Sequence, residues 1–491
     1  MPAALVAAAT FAVIGCGGGG STTPAPTSTS TKSAGCAQSY ATSPALGFDL
    51  QSAGIGLHAP ISHVEQFAPA TVAVRFPEGR ISSAAAAALA RLGARQASEP
   101  NEQGAVTFSI PQNLDPHMAA SALRGVPGIA SAGPIIYRHV EGLLPNDPQF
   151  ASGAVLESAG STNQWDLYAI QMPNAWSVTT GATSVRVAII DTGYDLHNPD
   201  LIGKVDASVV YDLGNGTIDA CSVQDEDGHG SDVSGIVAAD TNNATNVAGV
   251  GWNVHLLEAR VFPYGKNPGA STQDIAAAIN WSVANGARVI NMSLGSGSPD
   301  PTFEEPAVAS AISKGVIVVA ASGNGDANGN GLPILDYPAK DPGVISVGAS
   351  AFCDQATPTS ACGTLPNTLA GGHEFVAHYS NYGAGLSLVA PGGDPTKAQE
   401  GCTTLACIDF LQWIDNLDST AGPFKEQVGL FAGTSQATPH VAGAAALMVS
   451  KDPALTPAQA LSIVKATADN ISDLHMGAGR LNVLNALNAT P

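Results

Sequence analysis

Three short segments each carry a side chain that is suited to acid–base or nucleophilic chemistry. Asp191 ends the strand-like run VAIID, His229 lies between two glycines, and Ser435 lies in GTSQATPHVAG (433–443). A serine hydroxyl becomes a nucleophile only when a neighbouring base takes its proton, and an imidazole oriented by a carboxylate is such a base. Each residue also has a simpler interpretation, because Asp191 can start an Asx-turn, His229 can be a loop residue and Ser435 can cap a helix.

Taken together, these segments resemble the three signature segments of the subtilisin-like serine proteases, in the same Asp, His, Ser order. The resemblance covers roughly residues 143–491, although the separation between His229 and Ser435 is longer than in compact members. It implies that Ser435 attacks a peptide carbonyl, that His229 takes its proton, and that Asp191 fixes the imidazole tautomer. The combination favours the nucleophile over the helix cap as the interpretation of Ser435.

The segment VVAASGNG (318–325) resembles the one that carries the oxyanion-stabilising asparagine of this family, and that position maps to Asn324. The resemblance implies that the Asn324 amide and the Ser435 backbone N–H, at the start of a helix, hold the developing charge. A turn-forming Asn-Gly pair is the alternative. Pro439 is expected in the first turn of that helix, where its missing N–H costs least.

Two further segments resemble the substrate-binding walls of the family. The segment 289–295 resembles the strand that pairs with the substrate backbone, so Ser293, Leu294 and Gly295 are expected to form an edge for an extended peptide. The segment around 335–350 resembles the one that closes the pocket for the side chain before the cleaved bond. Asp336 would then lie near the pocket floor and favour Lys or Arg through a partly desolvated charge pair, with a solvated loop carboxylate as the alternative.

The chain also departs from the family pattern, and a metal site is part of the resemblance. Asp232 stands where the family usually has a second histidine, which leaves the base in place but puts the local packing in question, and His440 is expected to be structural. Asp200 and Asn243 resemble the family's calcium site, and their oxygens suit a structural calcium ion. An Asn-rich turn without metal is the alternative, and no cofactor is expected for catalysis.

Beyond residue 143, apolar strand-like runs alternate with amphipathic helical segments. Strands are predicted at 185–190, 254–262, 288–293 and 315–322, with a helix at 272–285. This alternation predicts an α/β fold, a parallel sheet with helices on both faces. Functional residues of such sheets collect at the carboxyl ends of the strands, which is where Asp191 is predicted.

Residues 69–142 have a hydrophobic periodicity of their own and predict a small, separate α+β domain of the ferredoxin-like kind. Its strands are predicted at 71–76, 105–110 and 135–139, and its helices at 84–94 and 116–126. Its position matches that of the inhibitory chaperone domain of these proteases. The resemblance therefore implies a pro-domain that inhibits the enzyme until self-processing cuts the chain between about 138 and 145.

The N-terminus predicts export. Residues 1–15 are an apolar export segment too short to remain as a membrane anchor, and residues 16–68 are a low-complexity linker and N-terminal segment. Cys16 ends a segment that resembles the lipobox of bacterial lipoproteins, although no Lys or Arg precedes the apolar run. Lipidation would make the precursor an outer-membrane or cell-surface lipoprotein that releases the mature enzyme, whereas ordinary export with Cys16 discarded is the alternative.

Cysteine content and composition limit the remaining possibilities. Six further cysteines suggest disulfides in an oxidising compartment, most economically Cys353 with Cys362 and Cys402 with Cys407, which leaves Cys36 and Cys221. Of the 491 residues 45% are hydrophobic and 12% charged, and the net charge of −21 disfavours nucleic acid as a partner. Within these limits, the resemblance implies a secreted serine endopeptidase with protein or peptide substrates, which we expect to be a monomer. The alternatives are a transpeptidase or narrow-specificity processing protease on the same scaffold, and an inactive peptide-binding homologue.

Overall fold

The structure is a computed structural model that describes residues 70–77, 80–101, 103–111, 114–135, 144–151, 164–263, 269–326, 328–354, 372–394, 413–423, 425 and 427–491. The predicted export segment, the linker with Cys16 and most of the expected cleavage segment lie outside these residues. Within the described ranges, no helix has the length and apolarity that crossing a membrane requires.

The N-terminal described part is a four-stranded antiparallel sheet with two helices. Its elements, in chain order, are β1 (Thr71–Arg75), α1 (Ser83–Arg91), β2 (Arg95–Gln96), β3 (Ala105–Ser109), α2 (Pro116–Leu123) and β4 (Ser131–Gly133). The strand order is β2-β3-β1-β4. Alternate residues of β1 and β3, among them Val72 and Phe108, are buried in one core with Leu89 of α1 and Leu123 of α2.

One strand of this unit differs from the sequence prediction. The edge strand was predicted at 135–139, but the strand that pairs with β1 is Ser131–Gly133. Pro134 follows directly, and proline has no N–H to donate to a sheet ladder, so the pairing stops before it. Residues 136–139 lie outside the described residues.

The larger part is built on an eight-stranded sheet. Its strands are β5 (Arg186–Asp191), β6 (Val205–Val210), β7 (His255–Arg260), β8 (Val289–Met292), β9 (Ile317–Ala321), β10 (Ile345–Asp354), β11 (Gly372–Val376) and β12 (Leu388–Pro391). The order is β11-β10-β9-β8-β5-β7-β6, with β12 also paired to β10. All pairs are parallel except β10 with β11. The chain leaves β5 on one side through β6 and β7 and returns on the other through β8, so β5 ends at a topological switch point, where sites of such sheets form.

Helices cover both faces of this sheet. The described helices of this part are α3 (Pro148–Ala151), α4 (Trp165–Ala169), α5 (Met172–Ala175), α6 (His229–Ala238), α7 (Thr272–Ala284), α8 (Glu304–Ser313), α9 (Thr434–Lys451), α10 (Pro457–Ala466) and α11 (Val483–Ala489). Val187 and Ile189 of β5 share a core with α6 and α9, whereas Ala188 and Ile190 share a second core with α7 and α8. This alternation buries both faces of the strand, and it confirms the α/β prediction.

A short hairpin precedes α9. It consists of the antiparallel strands β13 (Ile414–Leu417) and β14 (Val428–Phe431), and β13 packs against α6. Sequence pattern does not predict this hairpin, nor β6 and β11, because their short runs carry polar and glycine residues between the apolar ones. The hairpin places the start of α9 close to the start of α6.

Candidate active site

The carboxyl end of β5 and the first residue of α6 bring an aspartate and a histidine together. Asp191 is 1% exposed, and its Oδ1 lies 2.7 Å from Nδ1 of His229. The same oxygen accepts the Thr192 backbone N–H at 2.8 Å. An imidazole whose Nδ1–H donates to a carboxylate keeps its Nε2 available as an acceptor, which is the state that a general base requires.

Local backbone geometry explains why α6 begins at His229. Gly228 has φ of +104°, a left-handed conformation that glycine adopts at little cost. A Cβ atom on Gly230 would come within 2.0 Å of the Gly193 carbonyl oxygen, so only glycine lets α6 approach the turn after β5. The buried Asp225 carboxylate accepts the N–H groups of Gly228 and Ser231 at 3.0 and 2.9 Å. Sequence reasoning missed Asp225, although an acid just before a helical run is a recognised capping signal.

The serine lies at the start of α9, and two reciprocal hydrogen bonds tie it to Ser293. The Ser435 hydroxyl donates to the Ser293 carbonyl at 3.1 Å, and the Ser293 hydroxyl donates to the Ser435 carbonyl at 2.7 Å. Pro439 is the sixth residue of α9, so the expectation that it falls in the first turn is wrong. Because Pro439 has no N–H for the Ser435 carbonyl, the Ser293 hydroxyl satisfies that carbonyl instead.

Asn324 is oriented by the residue that precedes the serine. Its Oδ1 accepts the Thr434 backbone N–H at 2.9 Å and the Thr434 hydroxyl at 2.7 Å. Thr434 is 1% exposed, so these bonds fix which end of the amide faces inward. The Asn324 NH₂ group is left to face the cavity beside Ser435. Among the described residues, no acceptor meets the Ser435 backbone N–H.

One cavity of about 630 Å³ joins these groups. It is lined by His229, Ser435 and Asn324, by Ser293–Gly295 and by Asp336. The next residue along the wall, Ser296, exchanges backbone hydrogen bonds of 2.9 and 2.8 Å with Tyr337. In the described part of the chain, no hydrogen bond engages the backbone groups of Leu294 and Gly295, so this wall is an open strand edge.

The comparison with known families agrees with this arrangement. The model of the subtilase family matches residues 182–479. The chain belongs to the subtilase family. Subtilisin Savinase of Lederbergia lenta is 35% identical over 319 residues, which cover 65% of this chain and 96% of that protein. The thermophilic serine proteinase of Bacillus sp. strain AK1 is 32% identical over 418 residues, 85% of this chain and 86% of that protein.

Solved structures support the same fold. The proteases from Pseudoalteromonas arctica PAMC 21717 match with a TM-score of 0.56 and 29% identity, over 71% of this chain and all of that chain. Fervidolysin from Fervidobacterium pennivorans matches with a TM-score of 0.53 over 89% of this chain and 64% of that one; at 22% identity it supports the fold alone. This subtilase is a serine endopeptidase.

Two opposing effects set the basicity of the histidine in this subtilase. Burial lowers the pKa of His229, but the Asp191 carboxylate, with Asp227 and Asp232 nearby, outweighs burial and raises it above the ordinary value. Asp336 is half-buried in the cavity wall, and burial raises the pKa of its carboxyl. Its hydrogen bond to the Asn381 amide is long, at 3.5 Å.

The departure at Asp232 has a partner that the sequence analysis did not find. Both Asp232 and Gln436 are buried, and the Gln436 side-chain amide donates to Asp232 Oδ2 at 2.6 Å. This bond links α6, which carries His229, to α9, where Gln436 directly follows Ser435. Two residues 204 positions apart carry no local sequence signal of such a contact.

His440 and the predicted metal residues lie away from the cavity. His440 is fully buried, with Nε2 2.9 Å from Asp166 Oδ2 and Nδ1 2.7 Å from the Gln436 carbonyl, as the structural role requires. Asp200 is buried, and Asn243 donates an amide N–H to its Oδ1 at 2.9 Å. The described residues contain no group of three His, Cys, Asp or Glu side chains placed to hold a metal ion. The oxygens are of the kind that calcium binds, but in this conformation N–H groups satisfy Asp200.

Proposed function

We propose that this subtilase hydrolyses peptide bonds through Asp191, His229 and Ser435 and an acyl-enzyme intermediate. One observation carries the proposal: the imidazole that lies 2.7 Å from a buried carboxylate lines the same cavity as the Ser435 hydroxyl. Asp191 is 1% exposed, so its negative charge acts on the imidazole with little screening by water.

The reaction starts with a rotation of the Ser435 hydroxyl. In the resting state it donates to the Ser293 carbonyl, and a turn about its Cα–Cβ bond brings it toward His229 Nε2. His229 takes the proton while Oγ attacks the peptide carbonyl, and it then gives that proton to the leaving amine as the C–N bond breaks. Water, activated by the same imidazole, attacks the ester carbonyl, which releases the carboxylate product and returns the proton to Oγ.

Two donors face the carbonyl oxygen as it becomes negative. They are the Asn324 side-chain amide and the Ser435 backbone N–H at the positive end of the α9 dipole. Because Thr434 holds the Asn324 oxygen through two hydrogen bonds, the amide cannot turn its acceptor toward the oxyanion without breaking both. Such fixed donors stabilise the transition state more than the substrate.

The substrate binds as an added strand along Leu294 and Gly295, whose backbone groups are open. Asp336 lies beside this edge, since a Cβ on Gly295 would be 3.2 Å from the Asp336 Cβ. We propose that Asp336 favours Lys or Arg directly before the cleaved bond. Peptides that differ only in Arg, Phe or Leu at that position test it, and equal or poorer cleavage after Arg would reject this preference.

The small N-terminal unit acts as an inhibitory pro-domain, and the enzyme is made as an exported precursor. Support comes from its place before the catalytic part, and from Cys221, which is disulfide-bonded as an oxidising compartment allows. Lipidation of Cys16 would then stay with the removed segment. Mass spectrometry of the native N-terminus reports lipid and cut site together. A Ser435→Ala chain that shortens normally would show that another protease makes the cut.

A structural calcium ion at Asp200 and Asn243 is a separate proposal. Its support is that the carboxyl oxygens of Asp200, with the buried Asp147 nearby, are of the kind that binds calcium. The Asn243 amide now donates an N–H to Asp200, so calcium binding would require this amide to turn its oxygen inward. Thermal unfolding with and without excess chelator tests it. A Tm that chelator leaves unchanged would refute it.

Covalent labelling tests the triad itself. A fluorophosphonate probe should label wild-type protein at Ser435 and should label His229→Ala at least about 10³-fold more slowly, since the base is gone. His197→Ala is the matched control, because that side chain is 77% exposed and does not line the cavity. Equal labelling rates of His229→Ala and His197→Ala would refute the role of His229 as the base.

A further inference from the structure

A buried carboxylate to which the proposed mechanism gives no role also lines this cavity. Glu304 is the first residue of α8 and is only 4% exposed. Thr272 and Ile275 of α7 and Leu294 line the same cavity. The triad mechanism does not use it, and the sequence analysis did not single it out.

Stabilisation of the helix start does not account for Glu304. Asp300 already accepts the N–H groups of Thr302 and Phe303, at 2.9 and 3.3 Å, and so serves the positive end of α8. Among the described residues, no hydrogen-bond donor and no cation contacts the Glu304 carboxyl. The charged groups that raise the pKa of its carboxyl, after burial, are other carboxylates, namely Asp341, Asp300 and Glu305. A buried carboxylate without a partner is unfavourable unless something else supplies the positive charge.

The charged residues of the cavity as a whole favour a positively charged side chain of a substrate. Apart from the His229 imidazole, every charged side chain that lines it in the described part of the chain is a carboxylate: Asp227, Glu304 or Asp336. Ile275 and Leu294 supply apolar surface in the same cavity. A Lys or Arg side chain has matching chemistry, because its methylene stem covers apolar surface while its charged head pairs with a carboxylate.

We propose that Glu304 selects a Lys or Arg side chain that lies two to four residues before the cleaved bond of the substrate. This inference rests on the proposed function, because the Leu294–Gly295 edge sets the direction in which the substrate strand runs. Side chains alternate along a strand, so the residue next to the cleaved bond and a residue further upstream reach different walls of the cavity. Asp336 lies at the first of these walls and Glu304 at the second.

The selectivity depends on pH. Burial, followed by Asp341, Asp300 and Glu305, raises the pKa of Glu304 to about 7. In the empty cavity the carboxyl is therefore largely neutral at pH 5.5 and ionised at pH 8.5. A bound cation favours the ionised form, so preference for Lys should increase with pH across this range.

The test uses peptides with Phe held constant before the cleaved bond, and with Lys or norleucine at the second, third or fourth upstream position. For wild-type enzyme at pH 8.5, kcat/KM should be about tenfold higher for Lys at one of these positions, which is about 1.4 kcal/mol. The ratio should fall toward one at pH 5.5. In Glu304→Gln it should be near one at both pH values, and Glu304→Leu should favour norleucine.

Glu305→Gln is the matched control, because it removes the same charge from the neighbouring residue, which does not line the cavity, and should keep the tenfold ratio. If Glu304→Gln keeps the wild-type ratio of kcat/KM for Lys over norleucine, the proposal is overturned. A lower Tm of this variant with the same preference for Lys would also overturn it, because it would show that Glu304 has a structural role only. Competition binding of the same peptides to Ser435→Ala protein gives a second readout. If hydrolysis survives in Ser435→Ala, the proposed function fails, but the binding ratio still decides the role of Glu304.

Discussion

Replacing Asn324 separates its role in catalysis from its role in the structure. Asn324→Ala removes the side-chain donor from the proposed oxyanion site, and in subtilisin the loss of the corresponding donor costs about 2.7–4 kcal/mol of transition-state stabilisation. We therefore expect kcat to fall about 10²- to 10³-fold while KM changes less than about threefold, because the donor acts mainly on the transition state. The same change deprives the buried Thr434 N–H and hydroxyl of their shared acceptor. We expect that loss to lower the free energy of unfolding by about 1–3 kcal/mol.

Asn324→Asp distinguishes the two effects. A carboxylate can still accept both Thr434 hydrogen bonds, so the stability should be closer to that of the wild type, but it offers no N–H and repels the oxyanion. Its kcat should be at least as low as that of Asn324→Ala. Steady-state kinetics on one peptide substrate and denaturant unfolding measure the two quantities, with Asn328→Ala as a control outside the cavity. The reasoning is refuted if Asn324→Asp keeps kcat within about threefold of wild type.

Three further outcomes are expected. Asp191 and Asp227 raise the pKa of His229, so kcat/KM should increase with pH with an apparent pKa above the ordinary histidine value of about 6.5. Asp227→Asn should move this increase to lower pH. A pH profile that is unchanged in Asp227→Asn would contradict this prediction. Gln436→Ala leaves the buried Asp232 carboxyl without its hydrogen-bond donor and should lower the free energy of unfolding by about 1–3 kcal/mol. In Gln436→Glu the two carboxyl groups can share a proton, so its free energy of unfolding at pH 5 should be lowered less. Denaturant unfolding of both variants measures the difference. Because the pKa of Glu304 is raised in the folded state, ionisation of this carboxyl lowers the free energy of unfolding as pH rises from about 4.5 through about 7. The free energy of unfolding of Glu304→Gln should therefore exceed that of wild type by up to roughly 3 kcal/mol at pH 8.5 and by nothing at pH 4, a difference that Tm measurements at the two pH values detect.

The sequence predicted those features that a short segment encodes by itself. Asp191 could be placed because the four apolar residues directly before it, Val187 to Ile190, form a buried strand whose carboxyl end it occupies. His229 could be placed because glycines on either side permit a close approach that other residues would block. The α/β fold followed in the same way, from the alternation of apolar runs with helical segments.

Contacts between distant segments could not be predicted in this way. The Gln436–Asp232 bond, the Thr434–Asn324 bonds and the Ser293–Ser435 exchange each join residues more than 100 positions apart. Each depends on how α6, α9 and β8 meet, and a single sequence gives no distance between these elements. Pro439 illustrates the same limit: its place in α9 was mispredicted because the helix start is set by Gly433 and by the hairpin before it, and not by a side-chain cap.

The start of α9 excludes the helix-cap interpretation of Ser435, because Ser435 is the second helical residue and does not occupy the cap position. A serine or aspartate at the cap position would accept the N–H of the second or third helical residue, and these are Ser435 and Gln436. Gly433 occupies the cap position and has no side chain that could do so. The first helical N–H is that of Thr434, and it donates to Oδ1 of Asn324. The Ser435 N–H, beside the cavity, stays without an acceptor among the described residues. The N–H group that a side-chain cap would engage therefore stays available for the proposed oxyanion, and a capping side chain introduced at Gly433 would compete with the substrate for it.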